Sequence, residues 1–180
     1  MAIVAGDILF KLSVAAAAGD TTGGTPATSL GDQVSTTQIT DATLNNLFDD
    51  VSGDENAASD VEYRCIFVHN NHATLTWQNV VVWLSAETGG GANIAIALDD
   101  FAPSPKGQAS AQADVIANED TAPGAGVGSF SSPTTKATGL SIGNIIAGSV
   151  KAIWVKRTAA ASAALDNDDV TIRCEGDTGA

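Results

Sequence analysis

Basic residues are scarce in this chain. Eight Lys and Arg stand against 21 Asp and Glu in 180 residues, for a net charge of −13. Affinity for nucleic acid comes largely from cations that displace counterions from phosphates, so this balance argues against a general grip on DNA or RNA. The one basic cluster, Lys151, Lys156 and Arg157, is expected to flank a strand and to face solvent or a carboxylate. Long apolar runs are also missing: none approaches the roughly 20 residues of a membrane span. The amino-terminal MAIVAGDILFKLS has no basic lead and Asp7 interrupts its apolar stretch, which makes it a poor signal peptide. The expectation is a soluble chain made in a cytoplasm, with no membrane partner. Cysteine is limited to Cys65 and Cys174, each inside a strand-like run. Buried free thiols are the expected state, with a disulfide as the alternative.

Aromatic residues make up only 5% of the chain, and much of its 44% hydrophobic content is Ala. The large apolar side chains fall in short runs separated by Gly, Ser, Thr and Pro. Strands are expected at Asp7–Val14, Val61–Asn70, Thr74–Trp77, Val80–Ser85, Asn93–Leu98, Ala113–Ile116, Val127–Phe130, Leu140–Ala147, Val150–Arg157 and Val170–Cys174. Val61–Asn70 is expected to start at a sheet edge and run into the core, and Glu87–Gly91 reads as a hairpin turn. The spacing of Leu44, Leu47 and Phe48 suits a short helical turn with Asp41 as its N-cap, and Asp49–Asp60 reads as a polar loop. Two irregular stretches, 15–32 and 101–136, read as surface excursions or arms. The whole is a single β-domain, 1–180. Its expected class is all-β, an antiparallel β-sandwich or jelly-roll-like domain with long irregular loops.

Side chains that carry chemistry are few. His69 and His72 are the only histidines. Cys65 and His69 share a strand parity that separates their side chains by about 13 Å, too far for proton transfer. Both histidines are expected as polar turn residues. They lack the further ligands that zinc needs. The carboxylates Asp49, Asp50, Asp54, Glu55 and Asp60, and the group Asp166, Asn167, Asp168 and Asp169, miss the EF-hand spacing. They read as solvated turn acids, with a weak calcium site at subunit contacts as the alternative. Trp83 and Trp154 lie on apolar strands and are expected in the core, whereas Trp77 has polar neighbours and is the candidate for an exposed ring. No catalytic, cofactor-binding or metal-binding residue is assigned, no cofactor is implied, and the chain is not expected to be an enzyme.

The blocks LNNLFDDVSGDENAASDVEYRCIFVHN and ATLTWQNVVVWLS, followed by GLSIGNIIAGSVKAIWVKRT and DNDDVTIRCEGDT, span well over half of the chain. Together they resemble a group of virion structural proteins of tailed bacteriophages. The resemblance implies a capsid decoration or cement protein on the outer head surface, located in the virion. Its partners would be the major capsid protein and further copies of itself in a symmetric homo-oligomer such as a trimer. The acidic 49–60 loop and the two arms are the expected contacts. The alternatives are a tail or baseplate structural protein and a carbohydrate-binding adsorption module built around Trp77.

Overall fold

A computed structural model describes residues 2–15, 22–163 and 168–178. Two antiparallel sheets form a β-sandwich. The strands are β1 (Ile8–Val14), β2 (Gly31–Gln38), β3 (Val61–Asn70), β4 (Trp77–Glu87), β5 (Asn93–Leu98), β6 (Ser104–Pro105), β7 (Ala113–Val115), β8 (Leu140–Ile145), β9 (Ser149–Thr158) and β10 (Val170–Thr178). The larger sheet runs β5-β9-β3-β1-β2-β7, with β6 also paired to β9, and the smaller runs β10-β4-β8. The all-β, antiparallel sandwich expected from the short apolar runs is the observed architecture.

The longest paired strands of the large sheet are β3 and β9. They pair without a bulge from Val61 opposite Thr158 to His69 opposite Val150. Side chains alternate across a strand, so this pair presents two apolar faces. Ile66 and Val68 of β3, with Ile153 and Val155 of β9, meet Val80, Val82 and Leu84 of β4 and Ile142 and Ile145 of β8 between the sheets. On the opposite face lie Cys65, Phe67, Ala152 and Trp154. No second sheet covers that face. Ala111, Ala113 and Ile116 do so instead, with Leu30, Phe101, Val127 and Phe130 packed against them. Most of the 101–136 stretch expected as an arm is therefore the outer layer of the domain. Of the 15–32 stretch, residues 16–21 lie outside the described residues. Its later part is pinned where β1 turns away from β3. There Ser29 receives the Cys65 amide on its carbonyl and donates its hydroxyl to the Cys65 carbonyl (2.7 and 2.6 Å).

Several local expectations give way to tertiary pairing. β3 is an exception: among the described residues β9 is the only strand beside its first half, and β1 joins from Ile66 on, so it starts at an edge and runs into the core as expected. Of the stretch Thr74–Trp77 only Trp77 is extended in a strand, and it joins Val80–Ser85 in β4 with a register shift near Asn79, whose φ is 52°. Glu87–Gly91 is not a hairpin, since β4 and β5 belong to different sheets and the chain crosses between them. β2 has no apolar run to mark it: its polar sequence GDQVSTTQ is extended because β1 and β7 pair with it. Around Leu44, Leu47 and Phe48 there are turns and no helix. Ala42 and Asn45 sit at φ of 52° and 57°, which breaks right-handed helical geometry, and Leu44 is exposed. Asp41 instead accepts from the amide of its neighbour Ala42. The only α-helix among the described residues, α1 (Gly53–Ala58), lies in the stretch read as a loop. Its capping box explains it: Ser52 and Glu55 exchange backbone-to-side-chain hydrogen bonds of 2.6 and 3.3 Å. Val127–Phe130 makes no strand. Isolated bridges tie this region to the β5 edge, through Asp99 with Val127 and Ile96 with Ser131.

Gly31 opens β2 at φ 102°, and an added Cβ would stand 1.8 Å from the Asp114 carbonyl oxygen of β7. Gly31→Ala is expected to cost about 1–3 kcal/mol from backbone strain alone, with the collision in addition. Gly89→Ala, which meets nothing within 4 Å, should stay within about 0.5 kcal/mol of wild type. Urea unfolding of both variants checks the pair.

Candidate functional site

The chemistry-bearing side chains do not gather into one centre. Cys65 is fully buried on the outer-layer face of β3, and Cys174 is half-buried on β10; both are free thiols. Burial pushes both thiols well above the ordinary range, which keeps them protonated and weakly nucleophilic. His69 is buried inside β3 and is not the turn residue expected, whereas His72 does lie in the turn. There its Nδ1 accepts from the amides of Thr74 and Leu75 at 3.1 and 3.0 Å. Trp77, the ring expected to be exposed, is 5% exposed and belongs to the inter-sheet core. It is paired with Thr178 of β10 and Ile145 of β8, and its polar neighbour Gln78 alternates to the other face.

The carboxylates are mostly engaged as hydrogen-bond acceptors. Asp60 accepts from the Val61 amide at 2.9 Å, and Asp54 and Glu55 lie in the first turn of α1. Asp168 and Asp169 accept from the Ala92 amide and the Thr88 hydroxyl, at 2.6 and 2.5 Å, so they hold the crossover that leaves β4. Asp166 and Asn167 lie outside the described residues. Among the described residues, no three His, Cys, Asp or Glu side chains converge as metal ligands.

Two buried polar clusters replace a catalytic centre as the features that need explaining. The first lies at one end of the inter-sheet core. Glu62 and Arg157 face each other across β3 and β9, and Arg157 Nε donates to Glu62 Oε2 at 2.6 Å. Arg157 also donates to the Asp49 carbonyl oxygen and reaches the Asp49 carboxylate at 3.3 Å. Next to it, the buried Arg64 pairs with Glu119 and donates to the Tyr63 carbonyl. The Phe48 ring lies near both guanidinium groups, 5.4 Å from Arg64 and 4.8 Å from Arg157. Cation–π attraction of this kind is strongest where water is excluded. Burial raises the Glu62 carboxyl above its ordinary value, and the Arg157 charge offsets part of that rise. The cluster fastens the 39–52 turn region and the 119 region to the β3–β9 pair.

The second cluster lies on the outer-layer side. Asp99 is buried, and its Oδ2 accepts from Trp154 Nε1 at 3.1 Å and from the Asp114 amide at 2.9 Å. Lys151 Nζ donates to the main-chain carbonyls of Asp99 and Phe101 and stands 4.8 Å from the Phe101 ring. Burial raises the Asp99 carboxyl and lowers the Lys151 ammonium. The three basic residues expected to flank a strand thus sit within β9. Lys151 and Arg157 are buried, and Lys156 lies 5.8 Å over the Phe130 ring. Both clusters hold irregular chain against β3 and β9.

The surface carries two shallow apolar grooves of about 290 and 300 Å³. One runs between the amino-terminal segment and β10, lined by Ile3, Val4, Ile8, Ile172 and Cys174. The other is lined by Ala27, Leu30, Val115 and Ile116. No protein-family model, curated protein or solved structure matches this chain. What is established is the class defined by the fold: an acidic antiparallel β-sandwich whose larger sheet is covered on both faces.

Two outcomes test these clusters. Arg157→Met leaves the Glu62 carboxylate buried without its cation and should cost about 3–5 kcal/mol, while adding Glu62→Gln should recover much of that loss. Chemical denaturation of the single and double variants measures both. The Asp99 carboxyl is raised above 3.8 in the folded protein, so the unfolded chain ionises first as pH rises. Its contribution to stability therefore falls as pH climbs from 3.8 through the raised folded value. Asp99→Asn keeps an acceptor oxygen for both donors. It should gain stability relative to wild type across that interval, and a pH-independent difference in urea unfolding would contradict the assignment.

Proposed function

We propose that this chain is a structural protein of a tailed-bacteriophage virion, acting as a decoration or cement protein on the outer head surface. The observation that carries the reading is where the resembling blocks fall in the fold. VEYRCIFVHN is β3, WQNVVVWLSAE is β4, SVKAIWVKRT is β9 and VTIRCEGDT is β10. The resembling blocks thus take in the four longest strands, the frame of the sandwich, together with the acidic 44–60 segment that leads into β3.

Charge and architecture support the same reading. A net charge of −13 repels packaged DNA and favours the outside of a shell over its inner surface. A decoration protein acts by stabilisation: many modest contacts between copies and with the major capsid protein resist internal pressure. The sandwich suits that task, because buried ion pairs and the outer layer hold its irregular segments against the sheet. Those segments are then available as formed surfaces. A tail or baseplate station would use the same frame and is the second reading. The adsorption alternative loses its platform, since Trp77 is in the core.

Antibody labelling of purified particles should mark the head. Particles lacking this protein should release DNA at a lower temperature, or at a smaller reduction of salt, than complete ones. Labelling confined to the tail would transfer the assignment there, and unchanged particle stability would count against the cement mechanism.

A further inference from the structure

A sandwich has exposed sheet edges, and a long, regular edge is a template for pairing with another chain. Three of the four edges here are blunted. The outer edge of β5 is engaged by the 127–131 stretch, with Ile96 and Ser131 exchanging amide-to-carbonyl hydrogen bonds of 2.8 and 3.0 Å. β7 is only three residues long. β8 is interrupted by Gly143 at φ 85°, and its pairing to β4 shifts register twice.

The fourth edge is β10. It is nine residues long, and among the described residues β4 is its only strand neighbour. The two register shifts in the β10–β4 ladder place the extra residue on β4: Thr171 and Ile172 face Ala86 and Leu84, and Glu175 and Asp177 face Val81 and Gln78. β10 itself runs on without a bulge, and its burial alternates cleanly from Val170 to Asp177. Val170, Ile172 and Cys174 face the core, while Thr171, Arg173, Glu175 and Asp177 face solvent.

We propose that β10 is a self-association edge, where a second copy of this chain adds its own β10 antiparallel about a two-fold axis through Cys174. That register opposes Val170 to Thr178 of the second copy, so all nine residues of each strand overlap. It also sets Arg173 opposite Glu175 of the second copy, and the two-fold repeats the pair. Opposite charges facing each other across antiparallel strands stabilise the pairing, and like charges destabilise it. A shift of two residues in either direction places Arg173 opposite Arg173 or Glu175 opposite Glu175, so charge selects one register. The existing contacts leave room for this. Glu175 bonds Lys136 at 2.7 Å with both side chains nearly half exposed, and a carboxylate accepts from more than one donor. Arg173 lies 5.7 Å from the Trp83 ring on the same open face. The joined strands make one six-stranded sheet across two sandwiches, each keeping its own core. The groove bordered by Ile3, Ile172 and Cys174 runs beside this seam.

The association concerns the free chain in solution, and its success or failure leaves the virion reading where it stands. Sedimentation equilibrium of the full chain should show a dimer. Arg173→Glu and Glu175→Arg each convert both cross-strand pairs to like charges and should weaken dimerisation by roughly tenfold or more. The double variant Arg173→Glu with Glu175→Arg restores opposite charges in the same register and should dimerise as wild type does. It does so although the Lys136 and Trp83 contacts are lost in it, which separates pairing from local structure. Circular dichroism confirms that each variant is folded. A monomeric or trimeric wild type, undisturbed single variants, or a double variant no better than the singles would each overturn the proposal.

Discussion

The double-faced burial of the β3–β9 pair is the constraint on which the rest of the structure depends. Ten-residue strands with apolar side chains at both parities, such as RCIFV and AIWV, cannot lie on the surface of a two-layer sandwich with one face in water. One face is buried by the small sheet β10-β4-β8. The other requires a third layer, supplied by irregular chain around residues 101–130, and this explains why a stretch rich in Pro, Gly and Ser still carries Phe101, Ile116, Val127 and Phe130. The small residues of β5 fit this arrangement: Ala97 faces the outer layer, and the 127–131 stretch draws in against the strand.

Irregular layers cannot satisfy their backbone through ladders, so side chains do part of that work. Lys151 donates to two main-chain carbonyls, Asp99 receives an amide and an indole N–H, and Ser29 bridges to Cys65. Burying such charges carries a desolvation penalty, visible in the raised carboxyls of Glu62 and Asp99 and the lowered ammonium of Lys151. Their value is positional: each fixes one loop to one place on β3 or β9. For a virion component, whose task is to offer shaped surfaces to neighbours, formed loops are the working parts. This ties the polar interior to the proposed role.

Much of the frame was legible in the sequence. β3, β9, β5 and β10 are legible from β-branched and aromatic runs, and alternation puts Val170, Ile172 and Cys174 on one face, which the structure turns to the core. Polar strands were not legible. GDQVSTTQ has one buried aliphatic residue, Val34, and becomes β2 through neighbours distant in the chain. Trp77 was misplaced because its flanking polar residues describe the opposite face of β4. Lys151 and Arg157 read as residues flanking a strand, since local sequence carries no sign of the partners that allow charge to be buried. The α1 helix had a readable signal in its Ser52–Glu55 capping box, but six residues give too little periodicity to outweigh an acidic loop.

The sequence by itself determined the class of the protein: acidic, all-β, assembled from short antiparallel strands, because alternation and β-propensity are local properties. Only the tertiary structure decided which strands share a sheet, that the 101–136 stretch is a layer instead of an arm, and which edge stays open. Those outcomes depend on contacts between residues far apart in the chain, where burial on a second face and the matching of each charge with its partner outweigh local preference.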